Sequence, residues 1–142
     1  MITYAIIKKL SDDVQGFTLD ESLFWEELPL QKNGEPIALG TWAVTRGGST
    51  TSTTKGLNQK TTIDFYVTDA NKAKTEAKAA EIAEWLRKNV NICELKGSLA
   101  GVNYGFENVR IWQTATPQNQ GTTPNGAIVK MLSADVVFDI IK

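Results

Sequence analysis

A chain of 142 residues fits a single domain, and at that length one ordinary core needs no disulfide or metal staples. With 42% apolar and 22% charged residues, and 15 Lys plus Arg against 16 Asp plus Glu, it reads as a globular protein. That balance excludes a disordered chain, a membrane-spanning one and a basic nucleic-acid footprint.

The first residues, Met1 to Leu10, place Lys8 and Lys9 after the apolar positions, the wrong order for a secretory signal. Ile2, Ile6 and Leu10 recur at helical spacing, with Ile7 and Val14 widening the stripe, and predict a first helix that ends near Gly16. Gly16 to Leu30 holds strand-like pieces around Phe17, Leu19, Leu23, Phe24, Trp25 and Leu28, interrupted by Pro29 and a turn at Lys32-Asn33-Gly34. Ile37 to Thr45 is rich in strand formers. Trp42 and Val44 share one face there, Ile37 and Leu39 the other, and the phase change suggests a bulge at Gly40. Arg46 to Lys60 is poor in apolar residues and rich in Gly, Ser and Thr, so a long mobile loop is expected.

Thr61 to Val67 alternates, with Ile63, Phe65 and Val67 inward. Asp69 is the expected N-cap of a long helix over Ala70 to Asn89. Its apolar face is Thr75, Ala79, Ile82, Leu86 and Val90, and Ala73, Ala77 and Ala80 lie opposite. A short strand follows at Ile92 to Leu95, with Cys93 expected as a small buried hydrophobe, then a connection over Gly97 to Gly105. The single cysteine makes a reducing compartment the simplest setting. Phe106 to Thr114 alternates, with Val109 and Ile111 on one face and Phe106 and Trp112 toward the other. A second polar loop is expected over Thr116 to Gly126. The last strand, Ala127 to Ile141, puts Ile128, Leu132, Ala134, Val136, Phe138 and Ile140 on one face and Asp135 and Asp139 on the other, closing an antiparallel hairpin. The element order implies one α+β domain over residues 1–142, a small mixed or antiparallel sheet with two helices packed on one face.

No constellation for catalysis emerges. The chain lacks histidine and has one cysteine, so it cannot build a Ser-His-Asp triad, a Cys-His pair, an imidazole metal site or a thiolate zinc cluster within itself. No phosphate-binding GxxxxGK[ST] or dinucleotide GxGxxG pattern occurs. The carboxylate pairs Asp12-Asp13, Asp20-Glu21 and Glu26-Glu27 are sequence neighbours, whose side chains diverge in a helix or strand. No enzymatic activity, cofactor or metal is expected. The residues that suggest binding are Trp42 and Trp112, each on the strand face opposite its aliphatic neighbours, and the cations Arg46, Lys55 and Lys60.

Along nearly its full length the chain resembles the tail terminator proteins of long-tailed bacteriophages, the minor capsid or minor tail type. The likeness lies in the order of elements: an N-terminal helix at Ile2–Val14, a strand at TWAVT, TTIDFYV-TDA leading into an alanine-rich helix, then YGFENVRIWQTATP and a final MLSADVVFDIIK. The resemblance implies a homo-oligomeric ring, commonly a hexamer, in the virion at the head–tail junction. Such a ring caps the tail tube, ends its polymerisation and meets the head-completion or connector protein. DNA passes through its lumen without sequence-specific binding, and no membrane is involved. Other readings are a different head–tail joining or tail tube subunit, a small unrelated binding domain, and an enzyme built on Asp, Glu, Lys or Tyr.

Overall fold

The computed structural model describes residues 1–26, 40–50, 59–122 and 128–141. The expected turn at Lys32-Asn33-Gly34, the residues Ile37 and Leu39, Lys55, and the centres of both polar stretches lie outside them. The chain runs α1 (Ile2–Asp13), β1 (Leu23–Trp25), β2 (Gly40–Thr50), β3 (Gln59–Thr68), α2 (Lys72–Lys88), β4 (Asn91–Leu99), β5 (Val102–Thr122) and β6 (Ile128–Ile140). The strands form one sheet in the order β1-β2-β3-β6-β5-β4, antiparallel throughout except for the β1–β2 pair.

The expected layered sandwich, a small sheet with two helices on one face, is not the architecture that forms. Strands take 58% of the described residues, and the sheet curls into a half-barrel. Its curl is visible in what α1 touches: β1 and β2 at one side of the sheet and β4 at the opposite edge. Meanwhile α2 packs against β5, β6 and β3 in the middle. A flat sheet could not bring both of its edges to one helix.

Lengthened strands account for the difference. β2 runs on through Arg46 to Thr50, and β3 begins at Gln59, so the ends of the expected first loop are sheet. The expected connection over Gly97 to Gly105 is the end of β4 and the start of β5, joined by a tight turn whose Ala100 and Gly101 both have positive φ, at 51° and 81°. Residues 116–122 of the expected second loop belong to β5. Threonine is a β-branched strand former, and an outward sheet face takes polar side chains at no desolvation cost, so a polar, Thr-rich run can be strand as well as loop.

Strand bends come from bulges. One lies between Arg46 and Gly48, where Gly47 has φ 68°, and not at Gly40, which opens β2 opposite Thr68. Another lies between Glu107 and Arg110, with Asn108 at φ 52°. An inserted residue turns the following side chains over. Phe106 therefore joins Val109 and Ile111 in the core instead of sharing the outer face with Trp112.

Among the described residues the core is a single cluster. It takes Ile2, Ala5, Ile6, Ile7 and Leu10 from α1, Ala79, Ile82, Trp85 and Leu86 from α2, and the inward residues of the sheet, including Ile63, Phe65, Val67, Leu132, Ala134, Val136 and Phe138. The N-cap of α2 is Asn71, whose Oδ1 accepts from the Lys74 N–H at 2.9 Å; Asp69, the expected cap, accepts from the Ala70 N–H at 2.6 Å. Val90 and Ile140, expected inward, are exposed, as is Cys93. The two helices are tied by the Trp85 indole, whose Nε1–H donates to Asp13 Oδ2 at 2.9 Å.

Candidate interaction surface

Alternation along β2, β3, β6 and β5 turns one set of side chains into the core and the other onto the outer face of the sheet. Directly opposed residues share a face, so the pairing register reads out the outer rows. Trp42 stands opposite Tyr66, and Tyr66 opposite Met131; Val44 faces Asp64, and Asp64 faces Ser133. In the next row Arg46 faces Thr62, Thr62 faces Asp135, and Asp135 faces Trp112. Lys60 sits opposite Val137, one step further along.

Four of the five residues singled out from the sequence, Trp42, Arg46, Lys60 and Trp112, thus lie on one continuous face. Lys55 lies outside the described residues. The face is rigid because its polar groups are mutually satisfied. Ser133 Oγ–H donates to Asp64 Oδ1 at 2.6 Å, and Arg46 Nε–H donates to Asp64 Oδ2 at 2.9 Å. The Asp64 side chain is only 8% exposed while that of Arg46 is 62% exposed, so the carboxylate is the buried anchor and the guanidinium its solvent-facing cover. Hydrogen bonding and charge from Asp64 hold the Arg46 proton more tightly than usual, which leaves the cation fixed at every accessible pH. Thr62 Oγ1–H donates to Asp135 Oδ1 at 2.6 Å, and Lys60 Nζ approaches Asp135 Oδ2 at 3.6 Å.

The aromatic groups differ in how they are held. Trp42 stacks on Tyr66, with ring centroids 5.2 Å apart and planes 14° from parallel. Trp112 is 40% exposed, beside the Asp135 row. A large ring held out from a rigid, hydrogen-bonded sheet is the kind of side chain that anchors protein interfaces, since little entropy is lost when a partner covers it. Trp25 is also partly exposed, edge-on to Tyr4 at 5.6 Å, at the opposite, helix-bearing side. Trp85, by contrast, is buried in the core. Its place three residues after Ile82 and next to Leu86 is the sequence signal that sets it at the margin of the apolar stripe; the Asp13 partner that lets its polar edge go inside comes from another helix.

Two grooves flank the helices. One of about 620 Å³ lies between the end of α1 and the outer side of α2, lined by Asp13, Ala77, Ala80, Glu81, Trp85 and Lys88. A second, of about 380 Å³, runs between α1 and β4 and carries Lys8, Lys9, Asp12, Glu94 and Lys96. Cys93 and Tyr104 also line the second groove. Among the described residues no three His, Cys, Asp or Glu side chains are placed to hold a metal ion. No helix among them is long and apolar enough to cross a membrane. The chain matches no known family model and no curated protein.

Proposed function

We propose that this chain is a structural, non-enzymatic protein of a long-tailed bacteriophage that caps the tail tube, ends its polymerisation and forms the ring joining the tail to head-completion proteins. The observation that carries the reading is the outer sheet face. Exposed Trp112 and stacked Trp42 stand on a hydrogen-bonded platform with Arg46, Lys60, Asp64 and Asp135, a surface suited to a protein partner. A capping ring needs two such surfaces, one for its neighbours and one for the tube end, and a closed heterologous ring gives a filament a defined terminus. The order of elements along the chain, from the first helix to the final strand, is the second support.

The test is electron microscopy of tail tubes assembled from tube protein with and without this chain. Tubes of limited length with density at one end are expected, and Trp112→Ala should reduce the fraction capped. Tubes that grow without limit and bear no added density would sink the proposal. Incorporation along the tube wall would instead identify a tube subunit.

A further inference from the structure

Two rows of the outer face surround Trp112, and the strand register gives their layout. Arg46, Thr62, Asp135 and Trp112 cross β2, β3, β6 and β5 in one row; Ser49, Lys60, Val137 and Arg110 cross the same strands in the next. Lys60 and Arg110 therefore stand two strand spacings apart, roughly 9.5 Å, with half-buried Val137 between them. Trp112 lies on the same face of β5 as Arg110, two residues further along, a separation of about 7 Å. An apolar centre, Trp112 and Val137, is thus bordered by the cations Arg46, Lys60 and Arg110.

Charge of both signs is present here, but at different depths. The Asp64 and Asp135 side chains are 8% and 17% exposed, against 62% for Arg46 and 41% for Lys60. Asp64 grips Arg46 through Nε, and among the described residues nothing accepts from its two terminal nitrogens. Arg110 is exposed and pairs with no carboxylate among the described residues. The accessible surface is consequently cationic. A guanidinium braced from behind keeps its planar fork ready for a carboxylate. Negative side chains return one row further on, where exposed Glu107 stands opposite Glu94. The cationic strip is therefore narrow.

We propose that this strip receives an acidic protein surface, with carboxylates seated at Arg46, Lys60 and Arg110 and an apolar side chain laid over Trp112 and Val137. Tryptophan and arginine are among the side chains most enriched at binding hot spots. Protein fits the strip better than nucleic acid does. A phosphate backbone carries charge at every step and would run from the cations onto Glu107 and Glu94, whereas the carboxylates of a folded partner can stop at the strip. The acidic row also sets orientation, because a partner turned around would hold its carboxylates against Glu107. This assignment of a partner rests on the docking surface of the proposed function and adds the chemistry of what docks there.

The test presents a random-peptide library to the immobilised full chain, with a short duplex DNA as the competing probe. Selected peptides are expected to carry Asp or Glu beside an apolar residue and to bind more weakly as salt rises. Their affinity should fall by about tenfold or more in Arg110→Glu, where like charges meet. Arg110→Lys should keep most of the binding. Lys72→Glu, the same charge change on the exposed side of α2, should keep all of it. Circular dichroism of each variant establishes that it folds. Peptides without acidic enrichment, affinity unchanged in Arg110→Glu, an equal loss in Lys72→Glu, or duplex DNA bound more tightly than the peptides each overturn the proposal. Capping fails or stands separately. Tubes capped equally well by Arg110→Glu would leave capping intact and remove the acidic partner, and acidic peptides bound by a chain that caps no tubes would do the reverse.

Discussion

Asp64 shows how a charged residue ends up inside an otherwise polar surface. It occupies an outward position of β3, yet Arg46 closes over one oxygen and Ser133 binds the other. Because desolvated carboxylates are costly without partners, the two sides of this pair should not be equivalent. Removing the exposed guanidinium in Arg46→Ala should cost little, because Ser133 still binds the carboxylate and water can replace the cation. Removing the carboxylate in Asp64→Ala strands Ser133 in a buried position and should cost about 1–3 kcal/mol. Denaturant melts of the two variants at neutral pH compare the losses directly.

Asp13 is the titrating counterpart. Burial pulls its proton affinity up, but the Trp85 indole and the Lys9 ammonium outweigh that, and its pKa falls below the ordinary 3.8. A depressed folded value means the unfolded chain binds the proton more readily, so the contribution to stability is complete above 3.8 and is lost as pH drops through the lowered value. Because Asp13 is about a third exposed and solvent screens its pairing, Asp13→Ala should lower stability by less than about 1 kcal/mol at neutral pH. The gap between variant and parent should narrow in strong acid, and paired denaturant melts across the acid range read it out. Gly97 makes a steric prediction of the same kind. A Cβ there would lie 2.5 Å from the Tyr104 hydroxyl and 2.8 Å from its ring carbon, so Gly97→Ala should displace Tyr104 from its stacking on Phe106 and lower the melting temperature.

At the scale of elements, periodic apolar residues located every helix and most strands, and they failed where a strand changes phase. β3 and β6 alternate without interruption, and their inward sets, Ile63, Phe65, Val67 and Leu132, Ala134, Val136, Phe138, were legible directly. β5 carries register shifts at several points, and the one after Glu107 moved Phe106 to the core side. A bulge leaves almost no trace in sequence, because Asn108 at φ 52° is as ordinary in composition as any loop residue. Of the surface residues named from sequence, Trp42, Arg46, Lys60 and Trp112 proved to share a face, a result of strand pairing that no single strand contains. Asp64, Ser133 and Asp135 were missed because each acquires its role from a partner on another strand. The two tryptophans should separate on substitution: Trp112→Ala leaves stability within about 0.5 kcal/mol, whereas Trp42→Ala loses the Tyr66 stack and costs about 0.5–1.5 kcal/mol beyond lost burial. Thermal melts of both decide it.

For the molecule as a whole, one core cluster joins both helices to the sheet, and among the described residues no second cluster stands apart from it. Unfolding should be a single cooperative transition, with the far-ultraviolet signal of the strands and helices and the near-ultraviolet signal of buried Trp85 moving together. Leu132→Ala, at the centre of that cluster, should cost about 2–5 kcal/mol without separating the two signals. A first transition confined to one signal would mean that part of the sheet melts independently.

What the sequence determined by itself was local: which segments bury apolar faces, and that histidine-based and thiolate-cluster chemistry is out of reach. Both follow from residue type and spacing, which neighbours along the chain can express. The curl of the sheet, the strand character of Thr-rich polar runs, the gathering of one outer surface and the exposed edge of β4 were decided only by tertiary structure. Each depends on hydrogen bonds between strands distant in sequence, and a backbone N–H carries no mark of which strand will accept it.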